Sequence, residues 1–220
     1  MNQILYYFSQ IKIRFIRLLT HLVAPLTSKF RNDFHYQGFR EWSGDLCCYL
    51  IDVIGMGEVY QLIFRTFKWN IRNLTHQEKM LLSPIFKDSI NYDLICIDTQ
   101  AKLGTKHLAM AYVSFNTINY RYPISSETLV HEAVHIWQYQ NFGSIYLTRA
   151  IKAQRSVDGY YYGGEQGLYR AMNQNKPLIA FNFEQQADII EDYYKIKNKL
   201  AVTSAIGNVT YEYYAQQLVF

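Results

Sequence analysis

The amino-acid sequence predicts an α+β fold: a small, mainly antiparallel sheet preceded by N-terminal helices and followed by a helical C-terminal part. Three observations predict this class. Apolar side chains recur at three- and four-residue steps near the N-terminus, short segments between residues 91 and 122 alternate as strands do, and the chain after residue 125 returns to helical periodicity. The 220 residues suffice to bury one substantial core.

The first predicted element is an amphipathic helix at residues 4–24, which ends near Pro25. Five basic residues and no acid lie in residues 1–31, so the net charge of +4 belongs to this arm and the remainder is close to neutral. Such a helix suits a peripheral membrane contact, and docking on the rest of the protein is the alternative. A nucleic-acid partner is not expected, because no recognition motif accompanies the charge.

A second apolar helix is predicted at residues 44–68, and the two helices form an N-terminal helical region, residues 1–70. Thr75 and Glu78 have the spacing of a capping box, which opens a helix at 76–87. The predicted strands are Asn91–Asp98, Leu108–Phe115 and Ile118–Tyr122, with a turn at Asn116–Thr117. Beyond them, caps and glycines delimit helices at about 125–141, 145–156, 167–174 and 183–197.

Residues 131–135 carry the clearest chemical pattern, His-Glu-x-x-His. On a helix, His131 and His135 lie one turn apart on the same face and can bind one zinc ion. Glu132 reaches the same ion from the side, where it can take a proton from a water molecule and return it to a leaving amine. The alternative is a pair of histidines satisfied in the core or on the helix surface.

A catalytic zinc site needs a third protein ligand. Glu184 and Asp188 share a helix face, so Glu184 is the predicted third ligand and Asp188 the predicted acceptor for the ring N–H of a ligand histidine. Glu191 extends that face and competes for either role. An ordinary solvated acidic face is the alternative, since acids are commonest on surfaces.

His131-Glu-Ala-Val-His135 followed by Glu184-Gln-Gln-Ala-Asp188 resembles the gluzincin branch of zinc metallopeptidases. The wider sequence is most similar to bacterial zincin-like core-domain proteins, which accompany contractile injection systems and polymorphic toxins and also have Gln at the position of Gln138. The resemblance implies that residues 71–220 are a zincin-like metal-binding domain whose sheet packs on the active-site helix. A metzincin would have Gly at 138 and His at 141, and a thermolysin-like chain would have Asn rather than Phe183 before the glutamate.

The resemblance implies a zinc-dependent peptidase, an effector that acts on a protein or peptide substrate. A peptidase also needs a group that stabilises the oxyanion, and Tyr161, within the cluster Tyr160–Tyr162, is the candidate; aromatic packing in a loop is the alternative. The substrate is expected along the edge of strand Leu108–Phe115. The alternative function is a non-catalytic zincin-fold adaptor or structural module of a secretion or toxin system.

Three cysteines, two of them adjacent, do not make a disulfide framework, so reduced thiols are expected. The apolar N-terminal stretch is interrupted by Lys12, Arg14 and Arg17, which fits neither a secretory signal nor a spanning helix. We therefore expect synthesis as a cytoplasmic protein, with export by a system that needs no signal peptide left open. The oligomeric state does not follow from the sequence.

Overall fold

The computed structural model describes residues 3–26, 38–101 and 111–219, and it confirms the α+β class. Within these ranges nine α-helices surround a sheet of four short strands. The helices are α1 (Gln3–Val23), α2 (Phe39–Val53), α3 (Met56–Phe67), α4 (His76–Phe86), α5 (Ser126–Phe142), α6 (Ile145–Gln154), α7 (Gly164–Asn173), α8 (Phe183–Lys197) and α9 (Ala205–Ala215). The strands are β1 (Ile71–Asn73), β2 (Cys96–Asp98), β3 (Ala111–Ser114) and β4 (Thr117–Tyr120).

The sheet is mixed, with the strand order β1-β2-β4-β3. β1 pairs with β2 and β3 pairs with β4 in antiparallel fashion, whereas β2 and β4 are parallel, with Ile97 opposite Ile118. The predicted antiparallel character therefore holds for the outer pairings. The central pairing is parallel because the β3–β4 hairpin places its second strand beside β2, which leaves β3 at an edge.

Two of the predicted strand segments are shorter than the sequence pattern indicated. Tyr92–Leu94 is a 3-10 turn, and its first residues are held by the Asn91 side chain, which accepts a hydrogen bond from the Asp93 amide at 3.1 Å. The hairpin turn is at Phe115 and Asn116, one residue earlier than predicted, and Phe115 takes the left-handed backbone with φ 57°. Residues 108–110 of the second predicted strand, Leu108–Phe115, lie outside the described residues.

The single helix predicted at residues 44–68 is wrong, because α2 and α3 are separate helices that meet at Gly55. Gly55 has φ 72°, a left-handed conformation that ends a helix and that glycine adopts without steric cost. Gly57 follows at a close approach, where a Cβ atom would lie 2.3 Å from the Tyr139 hydroxyl. The continuous apolar composition concealed this break in the sequence.

Helix α5 is at the centre of the core. Its side chains Val130, Val134 and Trp137 are fully buried and belong to the same apolar cluster as Ile118 of the sheet. The Ser125 hydroxyl caps the helix by accepting from the Thr128 amide at 3.2 Å, as the sequence predicted. Helix α8 packs along α5. The two helices that carry the predicted metal ligands are therefore neighbours.

The N-terminal helices attach to this core through buried polar contacts. The Arg14 guanidinium donates to both carboxylate oxygens of Glu58 and, at 2.8 Å, to the Asp52 carbonyl. The Asp52 carboxylate in turn accepts from the amide and the hydroxyl of Ser144, at the junction of α5 and α6. Arg17 donates to the Asn141 carbonyl. These charges face the rest of the protein rather than solvent.

The cysteines and the helix lengths can be compared with the sequence predictions. Cys47 is exposed, Cys48 and Cys96 are buried, and all three thiols are unbridged. Taken singly, the helices of the described ranges are too short or too polar to cross a bilayer, whereas Glu41–Val53 and Met56–Phe67 together reach that length and composition across a 60° bend.

We predict that Arg14→Met destabilises the protein by about 3–5 kcal/mol, because it leaves the buried Glu58 carboxylate without its partner. Urea unfolding followed by circular dichroism measures the loss. The double variant Arg14→Met/Glu58→Met should recover most of it, since neither charge is then buried alone. A single variant as stable as the wild type would show that this ion pair does not hold α1 to α3.

Candidate metal centre

Helix α5 presents the two histidines on one face, one turn apart. The ring centroids of His131 and His135 are 5.1 Å apart, and both side chains are nearly inaccessible. Glu132 lies between them in sequence and is also buried, and its Oε2 atom has no hydrogen-bond partner among the described residues. The predicted pattern thus forms on a helix whose opposite side is anchored in the core.

Helix α8 brings Glu184 to the two imidazoles. Its Oε2 atom lies 3.4 Å from Nε2 of His131 and 3.6 Å from Nε2 of His135. A capping box fixes the start of this helix: the Asn182 side chain accepts from the Gln185 amide at 2.8 Å, and the Gln185 side chain accepts from the Asn182 amide. The sequence prediction that these three residues converge is therefore matched by the geometry.

The donor set fits a zinc ion. Tetrahedral zinc with bonds of about 2.0–2.2 Å separates neighbouring ligand atoms by about 3.3–3.6 Å. The two distances from Glu184 Oε2 are close to this value, and the three donor atoms all lie within 4.8 Å of one another. Glu184 Oε2 is buried and has no hydrogen-bond partner among the described residues, while Oε1 accepts from Gln154 at 3.0 Å. One oxygen is thus held by the protein and the other is available to a cation.

A hydrogen-bonded chain sets the tautomer of His135. The Phe181 carbonyl can only accept, so Gln186 donates to it at 2.8 Å and its own oxygen accepts from Gln138 at 3.0 Å. The Gln138 oxygen consequently faces Nδ1 of His135, at 2.8 Å, and Nδ1 must carry the proton. Nε2 is left with a lone pair that faces Glu184. In the sequence the role of Gln138 stayed open, and no pattern indicated Gln186.

Two carboxylates share the outer nitrogen of His131. Glu191 lies 3.0 Å and Asp188 3.2 Å from Nδ1. Asp188 is therefore at the predicted ring nitrogen, but Glu191 shares that position with it. Lys195 balances one of them, at 2.7 Å from Glu191. A proton on Nδ1 satisfies both acids and leaves Nε2 unprotonated toward Glu184. This favours one cation, on the Glu184 side of the ring, over a second at the carboxylates.

The electrostatics of the cluster favour a positive charge between the donor atoms. Burial lowers the pKa of His131, but the nearby carboxylates of Asp188, Glu184 and Glu191 outweigh burial and raise it well above the ordinary value. The pKa of His135 is also raised, because Glu184 outweighs burial. Burial alone would raise the pKa of Glu184, but the two imidazoles have the larger effect. The pKa of this carboxyl is therefore lowered.

The pKa of Glu132 is shifted in the opposite direction from that of Glu184. Burial raises the pKa of its carboxyl above the usual range, and the two histidines offset only part of the effect. A raised carboxyl pKa brings a general base nearer to neutral pH, where it can both accept and return a proton.

The three tyrosines of the predicted loop have different surroundings. The Tyr160 ring lies 6.2 Å from the His131 ring between centroids, and burial together with nearby Glu184 raises its pKa to about 12. Tyr161, the residue that the sequence analysis chose, is 73% exposed, and its carbonyl accepts from Gln185. Tyr162 bonds through its hydroxyl to Asp192 and Tyr211. Tyr160 is thus the tyrosine of this cluster that the structure places beside a ligand histidine.

A separate cleft of about 760 Å³ opens at the other end of α5. It is lined there by Gln140 and Asn141, and it contains none of the metal-donor residues. Its volume does not identify the reactive site. The site is identified by the convergence of donor atoms.

The chain is therefore an α+β protein with a His-His-Glu cluster in its interior, and part of it is similar to one known protein. It is 36% identical over 76 residues to the type VI secretion system spike protein VgrG2b of Pseudomonas aeruginosa. The match covers 34% of this chain and only 7% of that protein. No established family profile matches the chain, and no solved structure matches it either.

We predict that Gln138→Ala weakens zinc binding by about 10- to 100-fold, because Nδ1 of His135 loses the acceptor that orients the ring. Competition with a chromogenic zinc chelator measures the affinity. Gln140→Ala is the matched control, since Gln140 lies on the same helix but bonds to Asn91 and Asn116 away from the histidines. Equal zinc affinities for the two variants would contradict an orienting role for Gln138.

Proposed function

We propose that this chain is a zinc-dependent hydrolase of the metallopeptidase type, with His131, His135 and Glu184 as the zinc ligands. The observation that carries the proposal is the position of Glu184 Oε2, buried and without a hydrogen-bond partner among the described residues, at 3.4 and 3.6 Å from two imidazole nitrogens. Three protein ligands are typical of a catalytic zinc, which keeps its fourth position open, whereas structural zinc has four.

When bound, zinc would polarise the scissile carbonyl and acidify a water molecule. The protein's own contribution falls to Glu132, next to His131 on the same helix. Its Oε2 atom lacks a hydrogen-bond partner among the described residues, so it is available to take a proton from that water and return it to the leaving amine. Asp188, Glu191 and Gln138 keep the two rings in the orientation in which Nε2 faces Glu184.

The proposed substrate is a protein or peptide that pairs with the edge of β3. Strand β3 pairs with β4 on one side and contacts α5, so a peptide added there would run close to the active-site helix. The far end of this edge is already used: the Tyr146 hydroxyl donates to the Val113 carbonyl and accepts from the Phe115 amide. We therefore propose the part of β3 around Ala111 for substrate pairing.

The similarity to a type VI secretion system spike protein supports a role for this hydrolase within a secretion system. We propose that the chain acts as an effector that such a system exports. The zincin-like architecture and the peptidase activity belong to the proposal as well, and they rest on the donor geometry and the sequence resemblance.

We predict that Glu132→Gln retains zinc and lowers the rate of peptide cleavage by about 10²- to 10⁴-fold, because it removes the proton acceptor and keeps the ligands. Metal analysis and cleavage of a fluorescence-quenched peptide library measure the two effects. Glu184→Ala is the contrasting variant, which should lose zinc. A wild type that binds zinc and cleaves none of the peptides would instead favour the non-catalytic module, and full activity of Glu132→Gln would contradict the mechanism.

We predict that Tyr160→Phe lowers kcat by about 10²-fold with little change in KM, because the hydroxyl beside His131 is then unavailable to the oxyanion. Tyr161→Phe is the matched control, one residue away with a mostly exposed ring, and should remain close to wild type. Steady-state kinetics on one cleaved peptide separates the two. The reverse result would assign the role to Tyr161, as the sequence suggested.

A further inference from the structure

Exposed apolar side chains are concentrated on the N-terminal helices. More than half of the large hydrophobic residues that are exposed within the described ranges lie between Leu5 and Trp69. Two helices carry most of them, and we use the name N-terminal apolar face for their exposed apolar side chains taken together, which include Leu5, Phe8, Phe15 and Leu19 of α1 and Leu62 and Phe67 of α3. Phe8 is 64% exposed and Phe67 is 74% exposed, so this face is uncovered in the described chain.

The acidic residues of the N-terminal helices are more buried than the basic ones. Asp45, Asp52 and Glu58 are buried, where they bond to Arg149, Ser144 and Arg14 respectively, and Glu41 pairs with Lys152. Among the described residues of α1 and α3, the exposed charged residues are the basic Lys12 and Arg65. The outer surface of these helices is therefore apolar with positive charge, while the acids face inward.

We propose that the N-terminal apolar face docks on the surface of an anionic lipid bilayer, with α1 and α3 lying in the interface. An apolar face with basic and no acidic charge is typical of interfacial helices, because it matches both the acyl chains and the negative headgroups. A protein partner fits less well, since protein interfaces supply about one hydrogen bond per 100–200 Å² and a polar rim. The proposal does not depend on zinc or on catalysis.

The point where α1 attaches to α5 is separated from the candidate metal centre along that helix. The N-terminal helices attach at the end of α5, where Arg17 bonds to the Asn141 carbonyl. His131 is ten residues earlier on this helix, which corresponds to about 15 Å along its axis. The contact that attaches α1 to α5 is therefore almost three helical turns from His131.

Vesicle flotation of the purified full-length protein tests the proposal. The probes are vesicles of phosphatidylcholine alone and of phosphatidylcholine with an equal part of phosphatidylglycerol. We expect the wild type to float with both, and more strongly with the anionic vesicles. Phe8→Glu and Leu62→Glu should each lower the bound fraction roughly tenfold. Lys12→Glu should lower binding severalfold to the anionic vesicles only.

Val157→Glu and Val202→Glu are the matched controls, because both valines are fully exposed outside the N-terminal helices. They should float as the wild type does, and thermal melting confirms that every variant is folded. The proposal is overturned if the folded wild type fails to float, or if the controls lose binding as much as Phe8→Glu does. A dimer seen by light scattering that Phe8→Glu dissociates, with no flotation, would overturn it in favour of a second copy of this chain.

Discussion

The structure depends on one unusual contact, the meeting of a carboxylate oxygen and two imidazole nitrogens in the interior. Glu184 Oε2 faces Nε2 of His131 and of His135, and when the rings are neutral the acceptors on Nδ1 leave each Nε2 with a lone pair. Three hydrogen-bond acceptors in one buried place repel each other unless a cation lies between them. A proton can satisfy two of them at a time, whereas a divalent metal ion satisfies all three.

This requirement explains why so much of the surrounding structure is polar yet ordered. The chain from Phe181 through Gln186 and Gln138 to His135 lies wholly within the core, and each donor in it meets an acceptor. Buried polar networks stabilise a fold only when every member is satisfied. The network also ties α8 to α5, so the orientation of one ligand histidine depends on the same contacts that fix the distance between the two helices.

The sequence predicted that His131, His135 and Glu184 converge, because the spacing within each motif reflects helix geometry. His131 and His135 repeat at one helical turn, and the acids of α8 do likewise, so local periodicity alone places each group on one face. Gln186 could not be predicted, because its partners are the Phe181 carbonyl and Gln138, and only the packing of α8 on α5 brings Gln138 to it. The choice between Tyr160 and Tyr161 was likewise open, since adjacent loop residues differ only in backbone direction.

In the fold, too, features that depend on neighbouring residues were predictable from the sequence, whereas features that depend on distant residues were not. The caps at Ser125 and Thr75 lie within one turn of the groups they bond, and both were predictable. The three residues of β1 give no recognisable alternation, and their strand exists only because β2 pairs with it. At Gly55 the apolar pattern continued across a real helix end, because residues on both sides keep an apolar face that is exposed.

The exposed apolar face and the cluster around His131 both depend on where the carboxylates lie. In α2 and α3 the carboxylates of Asp45, Asp52 and Glu58 turn inward to meet Arg149, Ser144 and Arg14, and in α8 Glu191 turns inward to His131. The first arrangement neutralises the acids and leaves an apolar surface with positive charge outside. In the second, the carboxylates of Glu184, Asp188 and Glu191 surround the His131 ring and raise its pKa, and Lys195 pairs with Glu191, so negative charge is concentrated beside the imidazoles. The apolar and basic surface of α1 and α3 and the acidic cluster around His131 thus result from the same inward placement of carboxylates.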